Sequence, residues 1–244
     1  MAFTPAEFAS VPLAGRSAAV VDVLRATTTV VAACAAGCRQ VIPVADPASA
    51  LARARAFGAE ALVAGERNGE PIPGFDLGNS PLEYTAERVR GRTLILTTTN
   101  GTAAMLAAGA ADAGAVAALT NVEAVARWAL AQGRDFTILC SGEKGGFSLE
   151  DAVCAGLLVE GLAEAGAALD TSDAAVAARR VGEHYRSRLG RLLEDAAWAR
   201  NLDRAGRRAD IHVCLALSTS DEVPVFEAGA IVPGHRPVIS GTRP

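Results

Sequence analysis

One stretch of the sequence, GERNGEPIPGFDLGNSP over residues 65–81, combines acids, an arginine and amides with glycines and prolines. Because glycine and proline interrupt helices and strands, this composition predicts a loop. Most polar loops are solvated surface segments, yet carboxylate, guanidinium and amide groups together are also what a metal and phosphate site requires. The segment is therefore a candidate wall of a functional site.

Four further polar clusters each follow a short, apolar, predicted strand. They are Asp22 with Arg25, TTTNGT over residues 97–102, Thr120 with Asn121, and SGEKGG over residues 141–146. In open parallel sheets, ligands lie beyond the carboxyl ends of the strands. We therefore expect these clusters and the loop over residues 65–81 to face one crevice.

Threonine or asparagine stands at three predicted helix starts, at residues 27–29, Asn100 and Asn121. Taken singly, each is explained as a helix cap. Together they would direct several helix N-termini into the crevice, and N-termini with free N–H groups form an anion site, most commonly for phosphate. Arginine and lysine side chains in the same clusters would add charge-assisted donors.

The clusters also carry acids, which would repel an anion unless a cation links the two. The acids are Asp22, Glu66, Asp76, Glu143 and Asp151. A hard divalent cation such as Mg²⁺ supplies that link, because one or two carboxylates hold it while it bridges phosphate oxygens. Asp22 is the best single candidate ligand, since it is the lone charge in an apolar strand. Its alternative role is a structural salt bridge with an arginine.

Other phosphate chemistries fit the sequence less well. The residue six positions after Cys140 is Gly146, where a cysteine phosphatase needs an arginine, and no P-loop pattern is present. No histidine occurs in the predicted site loops, so a carboxylate or a metal-bound water would have to transfer protons. Whether water or Asp22 attacks phosphorus stays open.

Short β-branched runs alternate with alanine-rich helical stretches from Ala18 onward. This alternation predicts an α/β fold, a mostly parallel sheet with helices on both faces, formed by residues 1–244 as a single domain. A helical insertion over about residues 172–207 interrupts the rhythm. We expect a strand over Asp210–Leu217, a hairpin or edge segment around residues 223–232, and an irregular tail after Pro233.

Composition excludes several classes of function. No apolar run is long enough for a membrane span, and the N-terminus lacks a signal-peptide pattern, so we expect a cytoplasmic protein. The net charge of −4 and the absence of a basic stripe argue against nucleic-acid binding. The five cysteines have no zinc-site spacing and are expected to be buried thiols. The apolar surplus makes a homodimer plausible.

Four segments resemble the 2-phosphosulfolactate phosphatase family. They are VVDVLRATTTV (residues 20–30), GERNGEPIPGFDLGNSPLEY (65–84), TTTNGT (97–102) and CSGEKGGFSLEDAVCAG (140–156). The resemblance extends over nearly the whole chain. It implies an α/β fold and a Mg²⁺-dependent phosphatase that releases phosphate from 2-phospho-3-sulfolactate, a step of coenzyme M biosynthesis in methanogens.

Both lines of reasoning assign roles to the same residues. We expect Asp22, Arg25 and Glu66 to be catalytic, and the carboxylates around Mg²⁺ to be Asp22, Glu66 and Asp76. The residues expected to bind the phosphomonoester substrate are Arg67, Asn68, Thr99, Asn100, Ser141 and Lys144. Two alternatives remain: a Mg²⁺-dependent phosphatase or phosphotransferase acting on another phosphorylated 2-hydroxy acid, and a non-catalytic anion-binding protein.

Overall fold

The computed structural model describes residues 1–234, so the tail for which we expect irregular structure lies, beyond Gly234, outside the described residues. The strands are β1 (Ser17–Val21), β2 (Gln40–Pro43), β3 (Ala61–Arg67), β4 (Glu70–Pro71), β5 (Thr93–Thr97), β6 (Ala113–Ala117), β7 (Phe136–Cys140), β8 (Val225–Glu227) and β9 (Ala230–Val232). The helices are α1 (Ala26–Ala35), α2 (Pro47–Arg55), α3 (Ala86–Val89), α4 (Gly101–Ala108), α5 (Val122–Ala131), α6 (Leu149–Glu164), α7 (Asp173–Tyr185), α8 (Leu192–Asp195), α9 (Ala197–Arg204) and α10 (Arg208–Cys214).

The strands form one sheet in the order β4-β3-β5-β2-β9-β8-β6-β1-β7. Two parallel blocks, β3-β5-β2 and β6-β1-β7, are joined through the antiparallel hairpin of β8 and β9. The α/β class is confirmed, but the sheet is mixed and the prediction of a mostly parallel sheet is wrong. The hairpin expected around residues 223–232 is present, and it separates the two blocks at the centre of the sheet.

Three successive antiparallel pairings lie between the blocks: β2 with β9, β9 with β8, and β8 with β6. Each pairing reverses the strand direction, so the two blocks run in opposite directions along the sheet. In a flat sheet, their carboxyl ends would lie at opposite edges. The rule that parallel strands share one edge therefore does not by itself bring the predicted clusters together.

The inner core shows how these ends meet. Side chains from both blocks, including Val20 of β1 and Leu96 of β5, pack in one cluster with residues of α1 and α4. α1 and α4 therefore pack against strands of both blocks. The hydrogen bond from Asn100, after β5, to Glu143, after β7, shows that the carboxyl ends of the two blocks meet. A Cβ on Gly101 at the start of α4 would overlap Ala26 at the start of α1, so the two helix N-termini lie in contact.

The outer face of the sheet is covered by other helices. Alternate residues of β1, Ala19 and Val21, pack with α5 and α6, whereas Ile42 of β2 and Ile95 of β5 pack near Ala50 of α2. Since side chains alternate between the faces of a strand, helices lie on both faces of the sheet, as predicted.

The helical insertion is present as α7, α8 and α9, with a 3₁₀ turn at Leu189–Arg191 between α7 and α8. The strand predicted over Asp210–Leu217 is wrong, because this segment forms α10. Its buried residues are Asp210, Ile211 and Cys214, a helical spacing. A short apolar run fits both periods, and tertiary packing decides between them.

Two compositional expectations can be compared with the described residues. All five cysteines are free and buried, which confirms the thiol prediction. Within residues 1–234, no helix combines the length and apolarity that crossing a membrane would need.

Close packing of α6 against α7 depends on two glycines. A Cβ on Gly156 would overlap the backbone at Ala178, and a Cβ on Gly182 would overlap the backbone at Gly156. We expect Gly156→Ala to lower the free energy of unfolding by roughly 1–3 kcal/mol, measured by urea denaturation, because the helices must separate. This loss is what remains after the gain of about 1 kcal/mol that alanine brings over glycine in a helix.

Gly190→Ala is the matched control, because a Cβ there meets no atom within 4 Å. Equal stabilities of the two variants would contradict close packing at Gly156.

Candidate active site

A pocket lies where the segments following β1, β3, β5 and β7 meet. Its lining residues are Asp22, Leu24, Arg25, Glu66, Asn68, Gly69, Asn79, Thr99, Asn100, Glu143, Lys144 and Trp198. Four of the five predicted clusters therefore contribute to one site. The fifth does not, since Asn121 uses its amide on Ala118 N–H and on the carbonyls of Val116 and Glu222.

Asp22 lies at the floor of this pocket and is only 7% exposed. Its Oδ1 accepts a hydrogen bond of 3.1 Å from Ala26 N–H, the first residue of α1. Thr27 Oγ1 donates to the Asp22 carbonyl and accepts from its N–H, which holds the turn from β1 into α1. The threonine thus supports the turn and is not the N-cap.

The second oxygen, Asp22 Oδ2, receives no hydrogen bond from any residue in the described range 1–234. A Cβ on Gly101 would come within 2.7 Å of this oxygen, so glycine is needed for α4 to begin here. Burial, followed by the charges of nearby acids led by Glu66, raises the pKa of Asp22 to about 7. Asp22 therefore offers a carboxylate oxygen that has no donor, in surroundings that disfavour its negative charge.

Glu66 at the end of β3 links the loops of the first block. Its Oε1 accepts a 2.6 Å bond from Thr99 N–H, and its Oε2 accepts from Gly69 N–H and from the Thr99 hydroxyl. Asn68 N–H in turn donates to Thr99 Oγ1. One buried carboxylate therefore fixes two pocket-lining loops relative to each other.

Arg25 is 4% exposed and is held on two sides. Its Nη1 donates to Asp210 Oδ2 at 2.6 Å, and its Nη2 donates to the Gly69 carbonyl at 2.8 Å. Ser80 Oγ donates to the other oxygen of Asp210. A guanidinium has five N–H donors, so donors remain for a ligand.

The β7 loop forms the outer wall. Asn100 Nδ2 donates to Glu143 Oε2, and Asn100 Oδ1 accepts from Lys144 N–H. The predicted cap thus joins two loops, and the side chain of Asn100 makes no cap bond to α4. Lys144 Nζ lies 3.8 Å from Glu143 Oε1 and 5.8 Å from the centre of the Trp198 ring. Burial raises the pKa of Glu143.

Three residues predicted for the site do not line the pocket. Asp76 Oδ2 accepts a bond from Val63 N–H, so this carboxylate ties the loop to β3. Arg67 donates to the Glu66 and Ala45 carbonyls and to Thr97 Oγ1. Ser141 is fully buried, and its hydroxyl has no partner within residues 1–234. Each of the three lies in a segment that also contributes lining residues, so the sequence alone did not separate them from those residues.

Several residues of the site were not assigned roles from the sequence. Asp210 positions Arg25, and Trp198 donates its Nε1–H to the Leu24 carbonyl at 2.9 Å. Both come from the helical segment after residue 172, which carries no recognisable site pattern. Asn79 belongs to the loop over residues 65–81, and its polarity was the one available signal.

The donor set determines how a metal ion fits here. Within residues 1–234, no group of three or more His, Cys, Asp or Glu side chains is placed to hold a metal. Magnesium needs only one or two carboxylates when substrate phosphate and water complete its coordination. The free Oδ2 of Asp22 and the adjacent charge of Glu66 match that requirement. The residues therefore fit an ion bound together with a phosphate.

We expect the free energy of unfolding of the Asp22→Asn variant, relative to wild type, to depend on pH. An unfolded aspartate has a pKa near 3.9, so between about pH 4 and 7 the folded state holds a proton that the unfolded state has lost. Wild-type stability contributed by this proton is lost as the pH rises through that range, whereas asparagine has no proton to lose. The variant's stability relative to wild type should rise by roughly 2–4 kcal/mol between pH 4 and pH 8.

Urea denaturation with a chelator present measures this difference. Asp170→Asn, at an exposed position, is the control and should show little change with pH. A pH-independent difference for Asp22→Asn would contradict the raised pKa.

The chain is similar over most of its length to a known protein family and to proteins of other organisms. Residues 3–229 match the profile of the family described as 2-phosphosulpholactate phosphatase. A protein of Symbiobacterium thermophilum is 43% identical over 221 residues, which is 90% of this chain and 95% of that protein. One from Gloeobacter violaceus is 42% identical over 220 residues, 89% and 91% of the respective chains.

A third relative, from Clostridium acetobutylicum, is 34% identical over 217 residues, which cover 89% of this chain and 92% of that protein. All three relatives are named probable 2-phosphosulfolactate phosphatases. This chain therefore belongs to the 2-phosphosulfolactate phosphatase family and is an enzyme of the phosphatase class.

Proposed function

We propose that this enzyme hydrolyses the phosphate monoester of 2-phospho-3-sulfolactate in a Mg²⁺-dependent reaction, releasing sulfolactate and phosphate. The observation that carries the proposal is the buried Asp22, whose Oδ2 has no donor within residues 1–234 and lies where α1 and α4 begin. The names of the relatives support the choice of substrate.

Different residues of the pocket would bind the metal ion and the anionic phosphoryl group. The carboxylate of Asp22, with the charge of Glu66 beside it, would hold the ion. When bound, magnesium would neutralise charge on the phosphoryl group and polarise its P–O bonds. Arg25 would donate its remaining N–H groups to phosphoryl oxygens, and Asp210 keeps its guanidinium in place.

The helix N-termini add a field that favours the same charge. α1 and α4 begin side by side at Asp22, so their positive dipole ends favour a phosphoryl group in front of them. Thr99 and Asn100 lie at the start of α4, where a phosphoryl oxygen would be bound. Lys144 on the outer wall would bind the carboxylate or sulfonate of the substrate.

Proton transfer falls to a carboxylate, because the residues lining the pocket include no histidine. Asp22 Oδ2 can take a proton from a water that attacks phosphorus and pass it to the sulfolactate oxygen as the P–O ester bond breaks. Alternatively it can itself attack phosphorus and displace sulfolactate, forming an aspartyl phosphate that water then hydrolyses. Both routes need the same oxygen, and both make Asp22 essential.

We expect purified enzyme to release phosphate from 2-phospho-3-sulfolactate when Mg²⁺ is present, and to stop when EDTA is added. Readdition of Mg²⁺ should restore the rate, because the acids of the pocket cannot approach a phosphate unaided. Colorimetric phosphate measurement provides the test. Undiminished release in EDTA would exclude the metal role.

A panel of other phosphorylated 2-hydroxy acids tests the substrate in the same assay. Preference for one of them over 2-phospho-3-sulfolactate would make that compound the assigned substrate. Binding without turnover of any of these compounds would leave the alternative of an anion-binding protein.

We expect Asp22→Asn to reduce kcat by roughly 100-fold to 10,000-fold, since asparagine can neither take a proton nor balance the metal charge. The variant retains an oxygen for the Ala26 N–H, so its fold should persist, as circular dichroism can check. Asp76→Asn is the matched control, because Asp76 lies outside the pocket and asparagine keeps its oxygen acceptor. Equal loss in both variants would contradict the proposed role of Asp22.

A further inference from the structure

Asn79 lies in the pocket with its backbone fixed. Its carbonyl accepts a hydrogen bond of 3.0 Å from Thr29 Oγ1 in α1. The next residue, Ser80, donates to Asp210, which also holds Arg25. The position of Asn79 is therefore tied to the residues that place Arg25.

The side chain of Asn79 is only 5% exposed, yet its amide is unpaired. Its Oδ1 is buried without a partner in the described residues 1–234. Its Nδ2 makes no hydrogen bond there either, but it is not among the fully buried atoms. Because Asn79 lines the pocket, Nδ2 is a free N–H donor available to a ligand there.

Other amides of the protein show the contrast. Asn121 is fully buried and uses both ends of its amide on backbone groups. Asn100 lines the same pocket and is bonded through both of its ends. Asn79 alone combines burial, a place in the pocket and an unused amide among the asparagines of the described residues.

The charges of the pocket indicate which kind of ligand would accept a hydrogen bond from Asn79 Nδ2. Three carboxylates line the pocket, from Asp22, Glu66 and Glu143, against the two cations of Arg25 and Lys144. Both cations lie beside an acid, Arg25 with Asp210 and Lys144 with Glu143. Because neither cation is free of an acid, an anionic ligand gains from additional N–H donors, including neutral ones.

We propose that Asn79 is a substrate-binding residue whose Nδ2 donates a hydrogen bond to an oxygen of a tetrahedral oxyanion, the phosphoryl or the sulfonate group. The identity of the substrate rests on the proposed function; the presence of a free Nδ2 donor in the pocket does not. Neutral donors of this kind discriminate strongly, because a ligand lacking the acceptor leaves the buried amide unpaired.

Two substitutions test the role of this amide. Asn79→Ala should raise KM by about 10-fold to 100-fold, the range for one hydrogen bond to a charged group. Asn79→Asp should raise KM further, because it places a carboxylate against the oxyanion. The melting temperature of Asn79→Ala without ligand should stay constant or rise, since the variant removes an unpaired buried amide.

Asn121→Ala is the matched control. It removes a buried amide outside the pocket that is fully bonded, so it should lower the melting temperature and leave KM near wild type. A fall in melting temperature for Asn79→Ala with unchanged KM would mean a structural role and would overturn the proposal.

Product inhibition by inorganic phosphate and by sulfolactate identifies which group the amide contacts. The inhibition constant of that product should rise in Asn79→Ala, while the other should change little. If the wild-type enzyme releases no phosphate, the proposed function fails, and calorimetric titration of the same two compounds then decides the role of Asn79. Equal affinities of wild type and Asn79→Ala, or no binding to wild type, would overturn it.

Discussion

The buried carboxylate of Asp22 is the constraint around which the site is arranged. Two helices begin at this residue, one giving its first N–H to Oδ1 and the other approaching Oδ2 through a glycine. Helix N-termini favour a negative charge, whereas burial and the neighbouring acids oppose it. In the protein alone, burial and the neighbouring acids outweigh the helix N-termini, because the pKa of Asp22 is raised to about 7. A cation that arrives with a phosphate would remove this conflict.

The sheet brings that arrangement about in an indirect way. Its two parallel blocks run in opposite directions, yet α1 and α4 pack against strands of both blocks and the loops at their carboxyl ends meet. The strands that join the blocks, β8 and β9, come last in the described chain. Assembly of the two halves therefore depends on segments far apart in sequence, and such contacts form at a high cost in loop entropy.

Hydrogen bonds between loops complete what the sheet begins. Glu66 fixes the β3 loop to the β5 loop, and Asn100 fixes the β5 loop to the β7 loop. The helical segment supplies the last parts, with Asp210 behind Arg25 and Trp198 over the β1 turn. An insertion that interrupts the α/β rhythm is thus part of the active-site wall.

The amino-acid sequence by itself determined the class of the fold, the positions of most strands and helices, and four of the loops that line the pocket. Periodicity and turn residues are local properties, so they are legible without the partners of each element. The resemblance of four segments identified the family because they follow one another over nearly the whole chain. Asp22, Arg25 and Glu66 were legible as well, since each stands out in its own segment as a charge beside apolar or backbone-bending residues.

The tertiary structure alone decided the direction of the two blocks, the central place of the hairpin, and the helix at Asp210. It also separated residues that look alike in sequence: Glu66 and Arg67 are adjacent, yet only Glu66 lines the pocket. The physical reason is common to all of these. Strand pairing, burial and the pairing of polar atoms depend on groups distant in the chain, and Asn79 is distinguished only by the partner it lacks.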